Sequence, residues 1–303
     1  MLKVFFQYFI FPGLAFAAAI GLLACWVDRK VTARLQWRVG PPWYQNFMDI
    51  FKLLGKETIV PEGAKLTFLL SPYLGLLGAG LVAAMLGISV ISRSGGFAGD
   101  LIVVLYLLTA PALALILGAS ASRNPLASVG ASREIKLFLA YELPFLLAII
   151  AVVIKSGAIQ LDRILYHQAV DGSNIMSFSG ALAFLVSLFC MQAKLGIVPF
   201  DASEADQELM AGVLIEYSGL PLAVFKLTKA VMLYTVPLLL VVLFLGRDLS
   251  PFFIGVKFLA LLVFIILFKN TNPRLRIDQS MMFFWRLPTL AAAASVVLAI
   301  YGI

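Results

Sequence analysis

Charge is what this 303-residue sequence has little of: Asp, Glu, Lys and Arg together make up 13%, about half the share of an ordinary soluble domain. So sparse a polar coat excludes a free-standing soluble enzyme. Cysteine is equally scarce. Cys25 and Cys190, the only two, lie within apolar stretches and cannot supply the four thiolates of an iron–sulfur cluster or a structural zinc site. The single histidine, His167, falls in a predicted outer loop and makes no metal site alone. There is no P-loop and no H-E-x-x-H, and Gly95, Gly96 and Gly99 sit in a short loop rather than between a strand and a helix. We therefore expect no catalytic residue, no metal ligand set and no cofactor in this chain.

What is present is long apolar sequence, 62% hydrophobic overall. Uncharged runs extend from Val4 to Val27, Leu66 to Ser92, Leu101 to Ser122 and Gly172 to Ala193, each longer than the ~20 residues that cross a hydrocarbon core. Four further spans are less clean. Leu137 to Ile154 carries Glu142, Tyr217 to Gly246 carries Lys226 and Lys229, Leu249 to Phe268 carries Lys257, and Leu287 to Ile303 is short. Long runs without alternation, in a chain that must satisfy its backbone inside lipid, predict helices rather than barrel strands. The expected fold is all-α: one polytopic membrane domain, residues 1–303, of about eight transmembrane helices. Lys3 and the run to Cys25 faintly resemble a signal peptide, but the charged segment and further spans behind them mark a first helix.

The basic residues sort by face. Fourteen Lys and Arg fall in the first, third and seventh connections, against five on the opposite side. The positive-inside rule makes the basic face cytoplasmic, with both termini outside, in a cell membrane. A net charge of +7 held beside spans reports topology rather than nucleic-acid binding. In the long first connection, residues 43–56 space Phe47, Ile50, Phe51 and Leu54 as the apolar side of an amphipathic surface helix. Pro41-Pro42 precedes it and Pro61 follows.

The fifth connection, Phe200 to Gly219, breaks the basic pattern with Asp201, Glu204, Asp206, Glu208 and Glu216 and no Lys or Arg. It reads either as a solvated acidic loop or as a site where carboxylates meet the basic loops of that face or carry protons. Glu142, Lys226 and Lys229 lie at membrane depth, where an ionisable group costs several kcal/mol unless it is paired or wet. With Glu216 they outline a polar path from the acidic loop into the bilayer. The bland counterpart places Glu142 and Glu216 at the interface and lets the lysines snorkel.

Ordered blocks of residues carry a resemblance over nearly the whole chain. They are Asp28-Arg29-Lys30, Ala33-Arg34-Leu35-Gln36, Arg38-Val39-Gly40-Pro41, Gln45, Asp49, Lys52-Leu53-Leu54 and Lys56-Glu57. Arg133-Glu134, Tyr141-Glu142, Pro199-Phe200-Asp201, Glu204-Ala205, Glu208-Leu209, Gly212, Glu216-Tyr217-Ser218-Gly219, Pro273-Arg274-Leu275-Arg276 and Asp278-Gln279 continue the series. The chain resembles the membrane subunit family shared by respiratory complex I, where it helps form the quinone site, and by energy-converting nickel–iron hydrogenases. The resemblance implies a redox arm docked on the charged face, through Arg29, Arg34, Arg38, Asp49, Lys52, Lys56, Glu57, Arg133, Glu134, Arg274, Arg276 and Asp278. It also implies that Glu142, Asp201, Glu204, Asp206, Glu208, Glu216, Lys226 and Lys229 couple electron transfer to proton or sodium-ion movement.

Two departures favour the hydrogenase branch. Gly40-Pro41-Pro42-Trp43-Tyr44-Gln45 is shorter than the glycine-containing run usual in complex I members, and Thr228-Lys229-Ala230 stands where those members usually place an acid. On that branch the nickel–iron centre and iron–sulfur clusters belong to large-type and small-type hydrogenase subunits of the arm. Antiporter-like membrane subunits lie alongside, ferredoxin supplies electrons through the complex, and the lipid bilayer surrounds the chain. The alternatives are the quinone-site subunit of a complex I-like dehydrogenase and a stand-alone secondary transporter. The latter predicts an internal repeat, and none is visible.

Overall fold

The computed structural model describes residues 5–61, 65–92, 96, 98–204, 206–248 and 250–302. Among these residues all regular structure is helical. The main helices are α1 (Leu14–Leu35), α2 (Gln45–Leu54), α3 (Lys65–Ser92), α4 (Asp100–Ala121), α5 (Pro125–Ser156), α6 (Leu161–Asp171), α7 (Phe178–Lys194), α8 (Gly219–Phe244), α9 (Pro251–Thr271) and α10 (Ile277–Ile300). Seven of them, α1, α3, α4, α5, α8, α9 and α10, are long and apolar enough to cross a membrane, and the apolar α7 is shorter. The chain is thus the multi-pass helical protein expected, with seven helices of spanning length and the shorter apolar α7 where the expected fifth span lies.

The sequence-based boundaries need three corrections. The fourth span begins at Pro125, not Leu137, because Asn124 Oδ1 accepts from Leu126 N–H and the proline sits at the first helical position. Arg133, Glu134 and Lys136 therefore ride on a helix rather than in a loop. The eighth span begins at Ile277 and takes Asp278 and Arg286 into α10. The fifth is cut to 17 residues, about 26 Å at 1.5 Å per residue. Its lower part gives way to a 3₁₀ turn, Asn174–Met176, held by Asn174 Nδ2 donating to Leu243 O.

Helix α8 lies at the centre, buried along most of its length, with α1, α3 and α9 packed against it and α10 against α5 and α7. Its far end is closed by polar caps. Gln168 of α6 donates to Val242 O and Leu243 O, while Lys257 of α9 donates to Leu245 O and Asp248 O. Lys257, alone in its span, is thereby a helix cap, the cation a helix C-terminus favours. His167 sits on α6 rather than in a loop, beside Asp171 at 3.3 Å.

The amphipathic helix forms as expected, as α2. Its buried residue is polar: Asn46 donates to Leu22 O (3.0 Å) and accepts from Arg29 Nη1 (2.6 Å). Phe51 and Leu54 of its apolar side are exposed, as on a helix that lies along a membrane surface. Two bonds to α1 fix the helix and leave an apolar face outward.

Candidate functional site

The site lies where α7 ends. The helix ends at Lys194, a buried lysine followed by irregular chain that packs inside the protein, where non-helical backbone is tolerated only when shielded from lipid. The connection that follows folds against α5. Gly130 allows this: a Cβ there would lie 3.0 Å from both Ser203 O and Val213 N. Gly219, at φ +59°, opens α8 where a Cβ would press on the carbonyls of Lys56 and Glu57.

This fold pairs most of the expected acids with cations from other parts of the chain. Asp201 meets Arg274 at 2.9 Å, Glu208 meets Arg133 at 2.5 Å, and Glu204 pairs with Lys229. Asn124 Nδ2 donates to Glu216 Oε1 at 2.6 Å. Asp206 lies in the helical turn Asp206–Leu209, its side chain outside the described residues. Deeper in, Glu142 bonds Lys194 at 2.8 Å, with the lysine side chain only 2% exposed and the glutamate 14%. The Lys194 ammonium also lies over the Phe145 and Tyr141 rings, 4.9 and 5.5 Å from their centroids.

Between these pairs is a cavity of ≈ 40 Å³, lined by Glu134, Lys194, Ser203, Glu204 and Lys229 on its polar side and by α4 and α8 side chains on the other. At ~10–15 Å³ per water that is room for about three or four waters. Two carboxylates and two ammoniums around a water-sized space can pass a proton or rearrange their pairing as charge outside changes.

Two expectations are corrected here. Glu134, expected at the docking rim, is buried and lines this cavity, because α5 starts three turns earlier than the hydropathy suggested. Lys226 and Lys229, three apart on α8, do not act together: Lys229 reaches Glu204, whereas Lys226 is exposed and has no partner among the described residues. Lys194 escaped the sequence reading of the site. Its partner is 52 positions away on another helix, and its only local sign was a lysine ending an apolar run.

Around the site the remaining residues sort into a rim and supports. Arg29 bridges α1 to Asp49 of α2 (3.2 Å), and Lys269 of α9 bonds Asp28 of α1 (2.8 Å). Arg34, Arg38, Lys52, Lys56, Glu57, Arg276 and Asp278 are exposed. Arg276 donates its N–H to Gln279 Oε1 at the start of α10. Arg133, Asp201, Glu208, Arg274, Arg276 and Asp278 line an open groove of ≈ 440 Å³. Behind Glu216, Tyr217 stacks flat on Phe68 at 4.1 Å and donates to Phe68 O at 3.2 Å. Burial, opposed by its contact with Ser71, pushes its phenol up to about 12, so it stays a neutral donor.

Comparison with known proteins places this fold in a family. Residues 8–300 match the NADH dehydrogenase (NADHdh) family. An NADH-quinone oxidoreductase subunit of Thermomicrobium roseum is 36% identical over 297 residues, covering 88% of this chain and 87% of that protein. The corresponding protein of Geobacillus kaustophilus is 31% identical over 295 residues, covering 92% and 87%. Among solved structures, a chain of the membrane-bound sulfane sulfur reductase, an archaeal respiratory membrane complex, superimposes with a TM-score of 0.86. It is 28% identical, with 98% of this chain and 99% of that one covered. A match from end to end, a polytopic helical fold and relatives above 30% identity agree: this chain belongs to the NADH dehydrogenase membrane-subunit family.

Proposed function

We propose that this chain is the membrane anchor and ion-coupling subunit of a complex I-like respiratory complex in the cell membrane, with its basic face cytoplasmic and both termini outside. The observation that carries the reading is the cavity where Glu134, Glu204, Lys194 and Lys229 surround water-sized space. Charges so costly at that depth are retained where they serve a path. A hydrophilic redox arm docks on the groove of Arg133, Asp201, Glu208, Arg274, Arg276 and Asp278. Electron transfer in the arm biases the Arg133–Glu208 and Arg274–Asp201 pairs. Asp201 and Glu204 share one short loop, so the bias reaches Glu204–Lys229, then Glu134 across the cavity, and finally Lys194–Glu142. Each step exchanges a partner or a proton, and neighbouring antiporter-like subunits receive the resulting charge change as proton or sodium-ion movement.

Within the family, the chain is that of a ferredoxin-linked energy-converting nickel–iron hydrogenase rather than of a quinone reductase. The short Gly40–Gln45 segment and Lys229 in place of an acid support this. The structural relative is likewise a sulfane sulfur reductase by name. In this reading the nickel–iron centre and iron–sulfur clusters sit in large-type and small-type arm subunits. The test is the intact complex purified in mild detergent. Hydrogen evolution from reduced ferredoxin, with no quinone reduction, is expected. Quinone reduction without hydrogen assigns the chain to the dehydrogenase branch instead, sulfane sulfur reduction changes the catalytic partner, and solute transport by the lone chain overturns the whole reading.

A further inference from the structure

A second polar pocket lies at the corner where α1 leaves the bilayer. Its volume is ≈ 420 Å³, and Arg29, Thr32, Arg38, Gly40 and Lys269 are among the residues that line it. The pocket is built rather than incidental. Trp26 Nε1 donates to Pro41 O (3.2 Å) and Arg38 N–H to Ala33 O (2.8 Å), which fasten the Trp37–Pro41 turn onto α1. Gly40 takes φ +74° to make that turn, and a Cβ there would meet Ala33 at 2.9 Å.

The charges do not balance. Asp49 answers Arg29 and Asp28 answers Lys269, while the Arg38 side chain has no hydrogen-bond or ion-pair partner among the described residues. One positive charge is left over, the complement of one phosphodiester. The depth also fits. Arg29 and Thr32 stand about 22 and 27 Å along α1 from Leu14, at the edge of a core about 30 Å thick. Trp37 is 98% exposed and Trp43 and Tyr44 at least half exposed, with Phe51 of α2 beside them at 66%. Three of the chain's four tryptophans lie in this corner, the side chain that marks headgroup level in membrane proteins.

We infer that this pocket binds the phosphate of an anionic phospholipid, with Arg38 as its free cation and Arg29 and Lys269 as its shared walls. The lipid seats α2 against α1, and Arg38 faces the bilayer rather than a docked protein. Basic pockets between spans on the cytoplasmic side are suited to such headgroups.

The test uses the intact complex, a photoreactive phosphatidylglycerol and the matching photoreactive phosphatidylcholine, with adducts mapped to peptides of this chain. The expected result is phosphatidylglycerol labelling within residues 34–48, reduced about fivefold by Arg38→Gln and retained by Arg38→Lys. Millimolar inorganic phosphate should leave it intact. Arg38 is exposed and makes no side-chain contact that folding needs, so loss of labelling cannot be ascribed to misfolding if the complex keeps its unfolding temperature. Equal labelling by the two lipids, or labelling indifferent to Arg38→Gln, overturns the proposal. Displacement by inorganic phosphate assigns the pocket to a free anion and overturns its lipid part. Absence of any lipid adduct, with Arg38 cross-linked to another subunit, replaces the lipid with a protein partner.

Discussion

At the scale of the residue, the Lys194–Glu142 pair makes the sharpest demand. Each partner is nearly removed from water, so Lys194→Met leaves a buried carboxylate alone and should cost about 3–5 kcal/mol. The double variant Glu142→Gln/Lys194→Met should recover most of that stability, measured as thermal unfolding of the complex, without recovering coupling. Equal destabilisation by both would mean that packing, not charge, matters there. Tyr217 makes a smaller demand. Its phenol ionises near 10 in the unfolded chain and only at about 12 in the fold. The stability this contributes is therefore complete below pH 10 and lost as the pH rises toward 12. Tyr217→Phe should cost about 1 kcal/mol at neutral pH and flatten the alkaline part of the stability profile, as chemical unfolding at several pH values would record. Of these residues the sequence revealed the acids, since Asp201, Glu204, Glu208 and Glu216 crowd one connection. It could not reveal Lys194 as a partner, because a pair between separate helices has no local spacing to betray it.

At the scale of the element, hydropathy located the spans and misjudged their ends. A window of apolar composition registers lipid contact, whereas a helix continues into water for as long as its backbone bonds and caps allow. The Asn124-Pro125 signal that starts α5 was in the sequence, and its consequence is that Glu134 turns inward instead of lining the rim. The anchoring of α2 through Asn46 was not legible, since Asn46 finds its partners on α1. Two substitutions separate support from function. Lys257→Met removes the cation from the α8 terminus and should lower stability by about 1 kcal/mol, with ion movement per electron unchanged. Gly130→Val pushes on Ser203 O and Val213 N and should cost about 1–3 kcal/mol while also reducing that ratio, because the displaced loop carries Glu204. Pumping assays beside unfolding curves check both.

At the scale of the whole molecule, the division between an apolar body and one charged end was readable from composition and loop placement alone. The structure adds that charged groups from that end reach inward as a chain of pairs about a small, polar-lined cavity. A docked arm can act on the outer pairs only if the inner ones respond. The most direct test is the number of ions translocated per electron by the intact complex in proteoliposomes carrying Glu204→Gln. The account predicts that electron transfer continues while that number falls sharply. Unchanged translocation per electron would contradict it.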